Sequence, residues 1–342
     1  MRDVLEILSC GPGLTVQDQG RRGYLAQGLT MGGAADTAAL FEGAALLGQS
    51  PELAVIEMAG MGGTFTATRD LRIALIGAPM TATMDGAPLV WNASHLLPAG
   101  AKLKIGGTLA GTYGYLHVGG GIQSLEMIGA RATHLSAGLG SALEAGMTLP
   151  LGHDQAKRVG MALPADDRFS GGKIRIVTSM QSDMFDAETL TRFTEIPFRR
   201  DTRANRMGVR MDHDAAPFMA RDQLSILSDV IVPGDIQVAG DGAPFVLMCE
   251  CQTTGGYPRI GTVLPCDMMK VAQAPAGAQI AFEIVPLEEA RALELQAQAA
   301  RKTLGSRMYP LVRDPHDMHD LLSFQLISGA ISATTDPFEY GE

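Results

Sequence analysis

The stretch from Glu250 to Gly261, ECQTTGGYPRIG, lies between two apolar runs, residues 245–249 and 260–264, that read as short strands. Within it Thr253 and Thr254 offer hydroxyls, Tyr257 a phenol, and Arg259 a planar guanidinium suited to carboxylate or phosphate. Gly255 and Gly256 permit positive φ and let backbone N–H groups approach a ligand closely. Tyr257 precedes Pro258, so its backbone is pushed extended and its ring is restricted. Such a segment could hold a polar substrate and stabilise negative charge that develops on it. The same residues also make an ordinary β-turn with a surface arginine.

Other candidates lie elsewhere. Residues 14–23, LTVQDQGRRG, begin like a strand and end with Gln17, Asp18 and Arg21 among glycines. Asp18 and Arg21 either pair to fix a turn or face a site. Gly32 and Gly33 lead to Asp36, whose carboxylate at a helix start caps free N–H groups and meets the positive dipole end. Arg199, Arg200, Arg203, Arg206 and Arg210 form a basic cluster in an acidic chain. On one strand Arg206 and Arg210 would share a face, which is either a salt-bridged surface or an anion site. Gln237 follows a Pro233-Gly234-Asp235 turn into a strand. His316, Asp317 and His319 carry metal-ligand chemistry, but no third element of a known site accompanies them, and no metal is assigned.

The elements that must position these groups are mostly strands. A helix is expected over 37–47, stopped by Gly48. From 54 to 122 short apolar runs (71–76, 81–84, 89–91, 102–105, 113–118) alternate with Gly, Pro and Asp-Gly, which suggests a barrel or sandwich. Gly119-Gly120-Gly121 lacks the context of a phosphate loop or a dinucleotide fold. Residues 154–172 read as a linker, followed by a second β region and helices over 186–192 and 288–304. Asp-Gly-Ala-Pro recurs at 85–88 and 241–244, and Pro-Ala-Gly-Ala at 98–101 and 275–278, as if one β unit were present twice. The division expected is a first β domain (1–165), a second (166–290), and a C-terminal helix and tail (291–342).

A length of 342 residues suits two domains, and the net charge of −10 disfavours nucleic acid or anionic membrane as partners. No run of eighteen apolar residues is present, so no membrane span is expected. Cys10, Cys249, Cys251 and Cys266 have no CxxC spacing, and reduced thiols in a cytoplasmic protein are expected.

Six motifs occur in order: Thr15-Val16-Gln17-Asp18 with Gly20-Arg21, Gly33-Ala34-Ala35-Asp36, Gly119-Gly120-Gly121-Ile122, Arg206-Met207-Gly208-Val209-Arg210, Pro233-Gly234-Asp235-Ile236-Gln237 and Gln252-Thr253-Thr254-Gly255-Gly256-Tyr257-Pro258. Together they resemble the biotin-dependent carboxyltransferase family over roughly residues 3–290. That family includes allophanate hydrolase subunit 2, the urea carboxylase carboxyltransferase region, the C component of 5-oxoprolinase and a bacterial antagonist of a sporulation kinase inhibitor.

The resemblance implies a mainly β chain of two tandem cyclophilin-like β-barrel domains with a few short helices and a C-terminal helix. It implies a subunit of an ATP-dependent enzyme that cleaves or carboxylates a small lactam or urea-type substrate. Its partners would be a protein like the B component of 5-oxoprolinase and a LamB/YcsF-like protein, or a biotin carboxylase and a biotin carrier. ATP would act at the level of the complex, and any biotin would be carried by a partner. The alternative is a non-catalytic regulator that occupies a kinase-inhibitor-type partner. In the enzyme reading Arg206, Arg210 and Arg259 stabilise anionic charge, and the Gly255 and Gly256 amides donate to an oxyanion. Thr253, Thr254 and Tyr257 position the amide, Asp18 or Asp36 orients Arg21 or accepts a proton, and Gln17 and Gln237 read the lactam or ureido group. The chain departs from the family at Gly32, Ala35, Gln49, Ala130, Ala132, Met147 and Arg259, where Arg replaces a usual Lys. These departures suggest a divergent paralogue.

Overall fold

The structure is a computed structural model and describes residues 3–221 and 226–312. The residues 316–319 weighed for metal lie outside the described residues, as do the last thirty of the tail, 313–342.

The first half is built of two antiparallel sheets. One has six strands in the order Thr148–Pro150, Val4–Cys10, Gly63–Ala67, Leu103–Thr108, Met80–Met84 and Ala87–Pro88. The other has seven: Thr15–Gln17, Val55–Ala59, Tyr113–Val118, Leu71–Gly77, Ala93–Leu97, Met161–Ala162 and Tyr309–Pro310. Gly63–Ala67 alternates buried and half-buried residues, as a strand with one inner face should. Leu71–Gly77 is buried throughout because the helix Thr37–Leu47 covers its second face, while Leu71, Ile73 and Leu75 join the inter-sheet core with Leu5, Ile7 and Phe65.

The second half is a closed barrel of Gly172–Val177, Arg259–Val263, Asp235–Val238, Pro244–Leu247, Gly208–Asp212, Phe198–Ala204 and Gln279–Ile284. Closure leaves no unpaired edge, and a parallel pairing of Gly172–Val177 with Gln279–Ile284 completes the ring. Phe193, from the helix Ala187–Glu195, plugs the core: it stacks on Phe282 at 4.9 Å and meets Phe198 and Phe218 at 5.1 and 5.4 Å. The helix Leu287–Lys302 packs on the barrel near Leu264 and Val285. Its first turn carries Glu288 and Glu289 and its last Arg301 and Lys302, the polarity the helix dipole favours. Among the described residues no helix is long and apolar enough to cross a membrane.

Several expectations need correction. Residues 154–172 are not a free linker: Met161–Ala162 pairs with Tyr309–Pro310, and Arg168 is 3% exposed among carboxylates. The run 89–91 is not a strand, and Ala93–Leu97, interrupted by polar Ser94 and His95, is. Arg206 precedes the strand Gly208–Asp212 and sits in the turn before it, so it does not share a strand face with Arg210. Both Asp-Gly-Ala-Pro copies form turns that feed the strands Ala87–Pro88 and Pro244–Leu247.

Candidate functional site

Gln237 lies on the barrel strand Asp235–Val238 and is 8% exposed, yet its amide Nε2 has no hydrogen-bond partner. An unpaired buried amide is costly, so one on a residue that lines a cavity marks a place where a ligand can restore the bond. Gln237 lines a cavity of about 660 Å³ with Phe245, Leu247, Gly208, Arg203 and Tyr257. The volume falls within the usual range for a small-molecule site. Gly255 makes room for the amide: a Cβ there would lie 2.4 Å from Gln237 Nε2 and 3.0 Å from Ile231. Tyr257 is 45% exposed at the mouth, and the Arg210 guanidinium stands over the Phe245 ring at 5.4 Å while bonding Asp241 at 2.8 Å. A carboxamide beside two aromatic rings can pair with a group that presents N–H and C=O together.

Most of the remaining arginines are committed elsewhere; the exception is Arg200, whose Nε has no hydrogen-bond partner. Arg206 bridges the two halves: Nε donates to Glu250 at 2.5 Å, Nη2 to the Gly33 carbonyl at 2.5 Å, and Nη1 to Glu57. Burial opposes its charge, but Glu57 and Glu250 more than offset this and hold it cationic. Arg259 donates to Asp229, Asp235, the Val230 carbonyl and Gln181, and so anchors the short antiparallel pair of Asp229–Val230 with Thr254–Gly255. Arg199 pairs with Asp212 and Asp214, and Arg203 with Asp201. The cluster is therefore largely neutralised, with Arg206 a clamp between the two halves and Arg259 a loop anchor.

Asp36 is fully buried. Its Oδ1 accepts from Ala38 and Ala39 N–H, and its Oδ2 from Arg168 and Gln273 at 2.8 Å each. It caps the helix and ties both halves together, which leaves no oxygen for a substrate. Asp18 accepts from the Gly20 and Arg131 amides and forms no hydrogen bond or ion pair with Arg21, whose guanidinium is held by the Met127, Ala130 and Ala132 carbonyls. Gln17 is fully buried, its amide nitrogen bonded to Thr15 and the Thr133 carbonyl and its Oε1 without a partner, and it is not among the residues that line the cavity. Thr253, Thr254 and Gly256 flank the cavity without lining it. Of the residues singled out from sequence, Gln237, Gly255, Tyr257 and Arg210 are thus brought together.

Glu57, Glu250, Arg168 and Phe245 were not legible as site-forming residues. Glu57 sits in an apolar strand, and its role appears only when Arg206, distant by 149 positions, packs against it. Its other oxygen accepts from Ala35 N–H and Tyr115 Oη at 2.8 Å, which turns the clamp into a buried network.

The glycines at 119–121 do not suit a nucleotide phosphate: their amides donate to the Arg72 carbonyl, Gln49 and the Val118 carbonyl. Among the described residues no cluster of His, Cys, Asp and Glu is arranged to hold a metal. The four cysteines are free, and burial pushes Cys249 up to about 11 and Cys251 to about 12. These are inert thiols rather than nucleophiles.

Comparison with known proteins gives a concordant result. The family model described as carboxyltransferase domain, subdomain A and B, matches residues 27–284. The chain is 33% identical to the C component of 5-oxoprolinase from Escherichia coli (strain K12) over 312 residues, covering 90% of this chain and 99% of that protein. It is 31% identical to the C component of 5-oxoprolinase from Haemophilus influenzae (strain ATCC 51907 / DSM 11121 / KW20 / Rd), covering 86% and 94%. The solved K. lactis urea amidolyase superposes with a TM-score of 0.80 at 22% identity, over 92% of this chain and 21% of that one, and so shares the fold.

Proposed function

The chain belongs to the family of the carboxyltransferase domain, subdomains A and B, and from that premise we propose that it is the C-type component of a multi-subunit 5-oxoprolinase. Its substrate is a small lactam, opened at the amide bond in a reaction driven by ATP. Near full-length likeness to two proteins named as the C component of 5-oxoprolinase supports this over a purely regulatory role.

The observation that carries the reading is the unpartnered Gln237 amide in its aromatic-walled cavity. A lactam holds N–H and C=O side by side in cis geometry, the complement of a primary carboxamide. Gln237 binds and orients the ring through that pair, while Phe245 and Tyr257 cover it. Arg203, on the cavity lining, is paired with Asp201, and Arg210 with Asp241, so recognition rests on the Gln237 amide and the aromatic walls rather than on charge at the rim. The ureido ring of biotin presents the same donor–acceptor edge, and the same three residues would hold it; bound biotin would supply carboxyl-group transfer. ATP is handled by a partner, of the B-component or LamB/YcsF-like kind. The working compartment on this reading is the cytoplasm, where ATP is supplied and thiols stay reduced.

Calorimetric titration of the purified chain tests the substrate assignment. Binding of 5-oxoproline with no binding of proline, which lacks the lactam carbonyl, is expected. Equal binding of both, or binding unchanged in Gln237→Leu, contradicts it.

A further inference from the structure

A second cavity, of about 420 Å³, lies between the two halves, walled by residues that include Leu29, Met31 and Ala35 from the first and Pro233, Met248 and Met268 from the second. Its lining is apolar apart from a few groups, and two of these are arginines, Arg21 and Arg22; among the described residues no aspartate or glutamate lines it. In a chain of net charge −10 that is an unusual concentration of one sign.

Arg21 is 2% exposed, and Nη1 has no hydrogen-bond partner although Nε and Nη2 are bonded to carbonyls. Burial lowers the pKa of Arg21, and Asp18 and Glu250, near enough to favour its charge, offset this only in part; among the described residues neither forms an ion pair with it. The free nitrogen faces Gly32 on the cavity wall: a Cβ there would lie 3.7 Å from Nη1 and 3.0 Å from the His134 ring. Gly32 has φ +63°, so the chain reaches this approach in a conformation that glycine adopts without strain. The loop behind is equally constrained, since Cβ atoms on Gly20 and Gly33 would lie 2.5 Å from the Met31 carbonyl and 2.8 Å from the Gly20 nitrogen. Arg21 is therefore a rigidly held, buried cation with one unused donor at an apolar wall. Such a group is completed by an anion.

We propose that this cavity between the two halves is a second binding site, for a small monocarboxylate with an apolar body, anchored by Arg21 Nη1. The apolar walls take the hydrocarbon, and Arg22, exposed at the rim, adds to the attraction for the charged end. Because both halves line the cavity, an occupant also bridges them and adds to the clamp at Arg206. The site is separate from the Gln237 cavity and stands or falls independently of the lactam reading.

Titration of the full chain with octanoate, octanamide and inorganic phosphate tests it. Octanoate is expected to bind, with octanamide and phosphate each weaker by about tenfold or more, since one charge-assisted bond or the apolar burial is lost. Arg21→Met should erase the preference for octanoate over octanamide. Should that variant fail to fold, Val232→Trp, at a residue 37% exposed on the cavity lining, should block octanoate while leaving 5-oxoproline binding unchanged. Absence of octanoate binding, equal binding of octanamide or phosphate, or wild-type binding by Val232→Trp would overturn the proposal.

Discussion

The amide nitrogen of Gln237 occupies the space that a side chain at residue 255 would need: a Cβ on Gly255 would lie 2.4 Å from it. Gly255 is therefore required for its lack of volume. Gly255→Ala should push the Gln237 amide out of line and weaken 5-oxoproline binding about tenfold or more. The crowding should cost about 1–3 kcal/mol of stability, which leaves a folded protein. Titration beside a melting curve separates the two effects, and unchanged affinity would show that the amide is not the reader.

The Arg206 clamp predicts a stability effect. Replacing Arg206 with Met leaves Glu57 and Glu250, 1% and 3% exposed, without their counter-ion. Breaking a buried pair from one side costs about 3–5 kcal/mol. Urea unfolding should show this loss, while a shift under about 1 kcal/mol would mean that the two halves hold together without the clamp.

Asp36 separates a structural from a catalytic role. Asp36→Ala removes a helix cap and leaves Arg168 with only Glu42 and Asp166. A stability loss of at least about 3 kcal/mol is expected with 5-oxoproline binding retained. Intact stability with lost turnover would restore the proton-transfer role considered from sequence.

The imidazole of His117 predicts a pH dependence. It is fully buried beside Gly43, where a Cβ would come within 2.3 Å of the ring, and burial lowers its pKa to about 3. The unfolded chain binds a proton below about 6.5 that the folded chain refuses until about 3. Stability is thus full above 6.5 and falls as pH drops through that window, by about 1.4 kcal/mol per unit from this residue. His134, also lowered by burial, acts in the same direction. Denaturant unfolding at about pH 7 and about pH 5.5 should show the decline, and His117→Gln should reduce it. Equal slopes in the two proteins would refute the assignment.

Much of this was legible locally. The helix Thr37–Leu47 with its Asp36 cap and Gly48 stop follows from residue order, because caps and periodicity act within one turn. The short strands followed from their turns, and the motif order pointed to the family and to mainly β structure. What the order of residues did not reveal was the choice of partner. Arg206 and Arg259 have the chemistry of anion binders, yet Glu57, Glu250, Asp229 and Asp235 reach them only after the chain folds. Arg168 lay hidden in a polar stretch read as a linker, since a buried ion-pair hub and a solvated loop have the same composition. Gln237, in contrast, stands out in the sequence for its amide, and the fold leaves that amide unpaired.

The most direct test of the central claim is reconstitution. The chain, combined with the B-component and LamB/YcsF-like proteins proposed as its partners, is assayed for ATP-dependent conversion of 5-oxoproline to glutamate. Turnover that requires this chain and falls at least about a hundredfold in Gln237→Leu, with the complex still assembled, is the predicted result; a loss of that size corresponds to about 2.7 kcal/mol of transition-state binding. Full turnover with Gln237→Leu, or without this chain at all, would contradict the account.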